Sequence, residues 1–171
     1  MIWASNDPAA SMGWAFWVDN RLDSTAVLKK VGAKGKYRLG EQVLNSRVDA
    51  YELALLGLEV LVIEEGCGKF TTAVKSQAVK RGHLEILCEQ STSDGNPLRF
   101  EVINVSEWRR AIKDAYGISW PAGRDRLKER SIALVKKHFG IDVTDDESDA
   151  VLIGVAAMRL GIVDFANTEG K

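Results

Sequence analysis

Cysteine, proline and aromatic residues are all scarce in this chain. Two cysteines in 171 residues exclude a disulfide scaffold, and Cys67 and Cys88 lack the CxxC spacing of a redox or zinc pair. A reducing, cytoplasmic setting is therefore expected. Three prolines and fifteen glycines are too few for a collagen-like or low-complexity chain. No apolar run approaches the ~18 residues of a membrane span, so no membrane partner is expected. The first residues also show no basic segment leading into an apolar one, which speaks against a secretory signal. The phosphate-loop pattern GxxxxGKS/T is missing, so no nucleotide cofactor is expected, and Gly66 and Gly68 read as the means of a sharp turn. Net charge is nearly absent too. The 23 Lys+Arg against 24 Asp+Glu leave -1, which at first sight excludes a nucleic-acid partner.

What is present changes that reading. The chain is 46% hydrophobic, and its length fits a single domain over 1–171 that buries roughly 70% of its unfolded-chain surface. Its charges are segregated. Lys29, Lys30, Lys34, Lys36 and Arg38 follow one another without an acid. From Ser106 to Gly140 nine bases (Arg109, Arg110, Lys113, Arg124, Arg126, Lys128, Arg130, Lys136, Lys137) face four acids. Then Asp142, Asp145, Asp146, Glu147 and Asp149 occur with no base among them. Fields act locally and are screened beyond ~8 Å in physiological salt, so the averaged charge hides this pattern. Each run alone reads as a solvated helix face or loop. Together they suggest phosphate-binding ground beside a cation site.

Alternation and apolar runs predict strands over Ile2–Ser5, Trp14–Val18 and Leu22–Leu28, the last two joined by a turn at Asp19-Asn20. The spacing of Leu39, Val43, Leu44, Val48, Tyr51 and Leu55 predicts a helix from Tyr37 to Leu56. Leu58–Ile63 reads as a strand buried on both faces. A helix over Thr71–Cys88 and a strand over Arg99–Val105 follow. Helices then run from an N-cap at Ser106 to Ala115, from Arg126 to Phe139, and from Asp145 to Leu160. The expected order is β-β-β-α-β-α-β-α-α-α, a mixed five-stranded α/β sheet with helices on both faces.

Four carboxylates stand out against this frame. Asp7 follows the first strand, Glu64 ends the buried fourth strand, and Asp146 and Asp149 share one face of the last helix. If strands one and four are parallel neighbours, Asp7 and Glu64 emerge at the same sheet edge, where open α/β sheets place their sites. Singly, Asp7 reads as a turn former before Pro8, and the aspartates as partners of a helix dipole worth ~0.3–1 kcal/mol each. Glu64 is harder to explain, because a carboxylate after Leu61-Val62-Ile63 must pair, protonate or bind a cation. Two like charges ~4 Å apart repel by ~4 kcal/mol at an effective dielectric of 20. Hard divalent cations turn that cost into binding, and a pair of them suits phosphodiester hydrolysis.

Three ordered motifs carry a resemblance. Asp7-Pro8 followed by Gly13-Trp14-Ala15 is the first. Val62-Ile63-Glu64-Glu65 closing a strand, then Gln77-Ala78-Val79-Lys80-Arg81-Gly82 on a helix, is the second. Asp146-Glu147-Ser148-Asp149-Ala150 opening the final helix is the third. Together they resemble the RuvC-type Holliday-junction resolvases across nearly the whole chain. The resemblance implies an RNase H-like fold, a homodimer, and two Mg²⁺ or Mn²⁺ ions per active site. The implied ligands are Asp7, Glu64, Asp146 and Asp149, and the implied activity is paired symmetric nicking of four-way DNA junctions. Lys128 falls where the family carries a lysine near the scissile phosphate, and Phe70 where it places an aromatic that stacks at the junction. Ala9, Asn6, Asp146 and the basic Lys29–Lys36 segment depart from the bacterial pattern and are closer to divergent phage enzymes. The implied setting is a bacterial or phage-infected cytoplasm.

On this reading Lys29, Lys30, Lys34, Lys36, Arg109, Arg110, Arg124, Arg126 and Arg130 hold DNA backbones, and the apolar face of Tyr37–Leu56 is a candidate dimer surface. Trp108 and Trp120 read more readily as core than as stacking residues, and His83 and His138 as surface. The alternatives are an RNase H-like nuclease acting on RNA–DNA hybrids, flaps or branched DNA, and a non-catalytic nucleic-acid-binding module.

Overall fold

The computed structural model describes residues 1–32, 35–65, 72–93 and 96–163. Nine strands and five helices occur among them: β1 (Ile2–Asp7), β2 (Met12–Val18), β3 (Arg21–Val31), β4 (Lys36–Leu39), β5 (Gln42–Leu44), α1 (Arg47–Leu55), β6 (Val60–Glu65), α2 (Thr72–Gln90), β7 (Thr92–Ser93), β8 (Asn96–Pro97), β9 (Arg99–Asn104), α3 (Val105–Tyr116), α4 (Arg124–Phe139) and α5 (Asp145–Arg159). Seven strands form one sheet in the order β5-β4-β3-β2-β1-β6-β9, and β7 and β8 pair by themselves.

The expected antiparallel start and parallel continuation are both present. β1 pairs antiparallel with β2, and β2 with β3. The turn between β2 and β3 holds Asp19 and Asn20 at φ 47° and 63°, a left-handed pair suited to a tight hairpin. β6 then lies parallel to β1, with Asn6 opposite Ile63, and β9 lies parallel to β6. This register puts Asp7 and Glu64 side by side at one end of the sheet.

The sheet has seven strands rather than five, because the helix expected over Tyr37–Leu56 is two strands followed by a short helix. Gly40 at φ 56° turns the chain between Leu39 and Gln42, so β4 and β5 form a hairpin added to β3. Only at Ser46 does a helix begin, with the Ser46 side chain accepting from the Asp49 amide. The face expected to mediate dimerisation therefore does not exist as one helical stripe, and Ala50, Tyr51, Ala54 and Leu55 are buried in the protein's own core. Smaller shifts affect the ends. Asp7 lies on β1 itself, Asn104 rather than Ser106 caps α3 in a capping box with Glu107, and α4 begins at Arg124. Lys34, Cys67 and Phe70, with the Gly66–Gly68 turn, lie outside the described residues.

Alternation along each strand divides two cores. Trp3, Ala15, Trp17, Val60, Val62 and Ile103 face α3, α4 and α5. Ala4, Met12, Trp14, Leu61 and Ile63 face the side covered by α1 and α2. Asp7 and Glu64 have the parity of Trp3 and Val62, so both belong to the α5 face. No helix among the described residues is long and apolar enough to cross a membrane.

Candidate active site

The last helix delivers the other two acids, and its position is set by contacts that leave no slack. A Cβ on Gly13 would stand 1.8 Å from the carbonyl oxygen of Asp146, so only glycine lets β2 pass under the start of α5. Further along, a Cβ on Gly154 would stand 2.4 Å from the Trp17 ring and 2.6 Å from Ser5 Oγ. Hydrogen bonds fix the same interface. Trp17 Nε1 donates to Ser5 Oγ at 2.9 Å, and Ser5 Oγ donates to the Ala150 carbonyl at 2.7 Å. Thr25 Oγ1 on β3 donates to Glu147 Oε1 at 2.9 Å. Thr144 and Glu147 close the helix with a capping box. The backbone of Asp146–Asp149 is thus pinned against β1, β2 and β3.

Asp7, Asp146 and Asp149 line a cavity of about 140 Å³, together with Ala9, Arg109, Arg124, Leu127, Lys128, Ser131 and Asp145. Glu64 is not among the lining residues. It receives a hydrogen bond from Trp108 Nε1 at 2.7 Å. Its charge is nonetheless felt by Asp7, and that of Asp149 by Glu64.

All four carboxyls are harder to ionise than usual. Burial pushes Asp7 well above the carboxylate range, and the charges of Glu64, Asp149 and Asp146 push it further. Glu64 is raised to about 7, mainly by burial, with the Trp108 hydrogen bond and Arg109 opposing the shift. Burial also raises Asp149, against a hydrogen bond from Ser131, and raises Asp146, to which Asp145 adds. Among the described residues none of the four forms a salt bridge. Arg109 and Lys128 offset part of the cost of burial at Glu64, Asp146 and Asp149, but burial outweighs them at all four carboxyls.

As donors, the four offer only hard oxygens, the chemistry that Mg²⁺ and Mn²⁺ prefer. The donor set fits such an ion. Among the described residues, no group of three or more acidic, His or Cys side chains is already drawn together closely enough to hold one.

The basic residues fall into different places. Lys128 lines the cavity and pairs with Asp145, while Asp145 is correspondingly held below its usual value. Arg109 also lines the cavity, with its guanidinium 5.2 Å from the Trp108 ring and 5.9 Å from the Trp120 ring. Trp108 is fully buried, and Trp120 packs edge-on against it. Arg124 is exposed at the cavity rim, whereas Arg110, Arg126 and Arg130 are exposed on α3 and α4 away from it. Lys29, Lys30 and Lys36 are exposed on β3 and β4. His83 and His138 are exposed, His138 stacking on Tyr116.

Sequence reasoning missed several contributors, namely Trp108, which holds Glu64, Ser131, which bonds Asp149, Asp145, the partner of Lys128, and Lys80. Lys80 on α2 is 5% exposed, and its ammonium donates to the carbonyls of Pro8, Ala9 and Ala10. It gathers the loop that follows Asp7. The residue stands within the Gln77–Gly82 motif, but nothing in its spacing points to those carbonyls.

No family model matches this chain, and no curated protein matches it. Among solved structures, the RuvC of T. thermophilus in complex with a Holliday junction substrate is similar, with a TM-score of 0.57 over 96% of this chain and 97% of that one. The fold is RuvC-like. At 12% identity the likeness is one of architecture. It is a mixed α/β fold of the RNase H-like kind, in which β4 and β5 extend the sheet beyond the five strands expected from the sequence.

Proposed function

We propose that this protein is a metal-dependent endodeoxyribonuclease that resolves four-way DNA junctions by paired symmetric nicks, working as a homodimer. One arrangement carries the reading: Asp7 and Glu64 end the parallel neighbours β1 and β6, Asp146 and Asp149 of α5 line the same cavity as Asp7, and all four carboxyls are harder to ionise than usual. The RuvC-like fold supports it, since a protein of that architecture has been seen with a Holliday junction substrate.

Asp7, Glu64, Asp146 and Asp149 would hold two Mg²⁺ or Mn²⁺ ions, which supply an activated water and charge neutralisation at the leaving oxygen. The chain's own groups have separate tasks. Lys128 stands at the cavity wall with Asp145 as its resting partner, and an incoming phosphate competes with that carboxylate for the ammonium. Arg109, held by two tryptophan rings, keeps positive charge beside Glu64 and Asp149 as they ionise. Arg124 offers a backbone contact at the cavity, and Arg110, Arg126 and Arg130 offer further ones on the exposed faces of α3 and α4.

The test is cleavage of a synthetic four-way junction with Mg²⁺, with Mn²⁺ and with chelator, mapping both nicks. Symmetric nicks that vanish with chelator are expected. Cutting of an RNA–DNA hybrid but not of the junction would replace this reading with an RNase H-like nuclease of other specificity. Asp7→Asn should lower cutting by at least 10³-fold while junction binding stays within about twofold, measured by gel shift with chelator. A fully active Asp7→Asn enzyme removes the carboxylate model.

A further inference from the structure

The β3–β4 hairpin reaches past the edge where the acids emerge. β2 starts at Met12, which pairs with Leu28, so Lys29, Lys30 and Val31 have only β4 beside them. At ~3.4 Å per residue this overhang is roughly 10 Å. It lies at the sheet end that carries Asp7, because Asp7 pairs with Gly13 and Gly13 with Val27.

The two faces of this arm differ. Leu28 and Leu39 oppose each other and are buried in the core beneath α1, and Tyr37 shares their face. The Tyr37 hydroxyl accepts from Arg47 of α1 at 3.0 Å, and the Arg47 guanidinium covers the Tyr37 ring at 5.2 Å. Lys30 opposes Tyr37 and so lies on that side. The other face begins at Thr25, which holds Glu147 at the head of α5. By alternation it continues through Val27, Lys29 and Val31, and across the register it includes Lys36, Arg38 and Val43. Lys29, Lys36 and Arg38 are exposed, Val43 is 51% exposed, and none of the three cations has an ion pair among the described residues.

From Thr25 to Lys29 is roughly 13 Å along the strand, close to the rise of four base pairs. On the opposite flank of the α5 N-terminus, Arg124 and Lys128 of α4 line the cavity. The acids on the α5 face therefore have cations on both sides, Lys29, Lys36 and Arg38 toward β3–β4 and Arg124 and Lys128 toward α4.

We propose that the β3–β4 arm is a grip for duplex DNA, in which Lys29, Lys36 and Arg38 hold the phosphate backbone of the arm leaving the acid cavity. Lys30 is not part of the grip. The assignment rests on the nuclease reading for its substrate and on the hairpin's own geometry for its residues. It gives the two added strands a purpose, since β4 supplies two of the three cations and pairs with β3 along the overhang.

Binding of the full chain to a four-way junction is measured by fluorescence anisotropy in chelator across a salt series. Each lost phosphate contact removes about 0.9 from the slope of log affinity against log salt. Lys29→Gln, Lys36→Gln and Arg38→Gln should each show that loss, and the triple variant about 2.7. Lys30→Gln and the charge-preserving pair Lys29→Arg with Lys36→Arg should keep the wild-type slope. The single variants keep the test independent of whether the triple chain folds. Wild-type slopes in all three singles, or an equal loss in Lys30→Gln, overturn the arm. A protein that binds through these three residues yet nicks no substrate removes the nuclease reading and leaves the grip standing. One that nicks junctions with a slope indifferent to them does the reverse.

Discussion

The two faces of the central sheet bury comparable apolar side chains but hold their helices differently. On the α5 face, Trp3 and Trp17 stack at 5.2 Å, Phe139 meets Trp17 edge-on, and the helix is seated by two glycines with no room for a methyl group. Polar bonds run through this core, from Trp17 to Ser5 to the Ala150 carbonyl. The α1–α2 face packs Ala4, Met12, Trp14, Leu61 and Ile63 under helices whose described glycine, Gly82, has nothing within 4 Å of where a Cβ would stand. The difference follows from what each face carries. α5 brings two carboxylates to two others on strands, and misplacement by about 1 Å can cost a hundredfold in rate. Among the described residues the second face contributes one clamp, Lys80.

The sharpest way to break the contrast is to add one methyl group on the α5 face. Gly154→Ala removes a helix glycine, which by propensity alone stabilises by about 1 kcal/mol. Its Cβ would meet Trp17 and Ser5 at 2.4–2.6 Å, and overpacking of that kind costs about 1–3 kcal/mol, so the second term wins. Gly13→Ala meets backbone at 1.8 Å, which cannot rotate away, and displaces the head of α5. Both variants should melt several degrees lower, and Gly13→Ala should lose more than a hundredfold in junction cutting. A Gly13→Ala enzyme with wild-type rate would show that the α5 seat does not set the site.

Lys80 tests the other face's contribution. Lys80→Met keeps the stem and removes the ammonium that gathers the Pro8, Ala9 and Ala10 carbonyls. A bond to a charged group contributes about 1.5–3 kcal/mol, part of which the lost desolvation of the ammonium returns. A stability loss near 1 kcal/mol is expected in urea melts. Because the loop follows Asp7, Mn²⁺ affinity measured by calorimetry should weaken about tenfold. A loss of stability with unchanged Mn²⁺ affinity would make Lys80 a packing residue only.

How much of this could be read beforehand depends on the range of each interaction. The β1–β2–β3 meander, the buried β6 and the four acids were legible, because alternation, an unbroken Leu-Val-Ile run and a charge-rich helix start are local signals. β4 and β5 were not. Leu39, Val43, Leu44, Val48, Tyr51 and Leu55 recur at helical spacing by coincidence, and that periodicity outweighed two local signals. Those signals were Gly40, which turns the hairpin at φ 56°, and Ser46 with Asp49, a capping pattern that marks where the helix starts. Trp108 and Glu64 are 44 residues apart, and Lys80 lies about 70 from its carbonyls. No spacing rule reaches that far. Gly13 and Gly154 were visible as glycines, but their need to be glycine arises only from α5 crossing the sheet.

Proton linkage offers a smaller test of the acid edge. Glu64 titrates at about 7 instead of its ordinary 4.5, so the cation-free folded state holds a proton that the unfolded chain has released. Stability is therefore full below about 4.5 and falls as pH rises toward 7, by roughly 1 kcal/mol per unit within that window. Asp7, Asp146 and Asp149 shift in the same direction and deepen the fall. Thermal melts in chelator should show Tm declining across this range, with a shallower decline in Glu64→Gln. Saturating Mn²⁺ should reverse the sign, because ligands must be deprotonated to bind a cation. A Tm that rises with pH in chelator would contradict the burial of these carboxyls.

The smallest effect separates the two faces most cleanly. Gly82 lies inside α2, and a Cβ there meets nothing within 4 Å. Gly82→Ala should therefore show helix propensity alone, a gain of about 0.5–1 kcal/mol, or a few degrees in Tm. Its cutting rate should stay within twofold of wild type, although the residue stands in the same Gln77–Gly82 motif as Lys80. The same chemical change, glycine to alanine in a helix, is thus expected to stabilise on the α2 side and to destabilise at Gly154. Opposite signs in one urea-melt series would locate the precision of this fold in the α5 interface rather than in its helices generally.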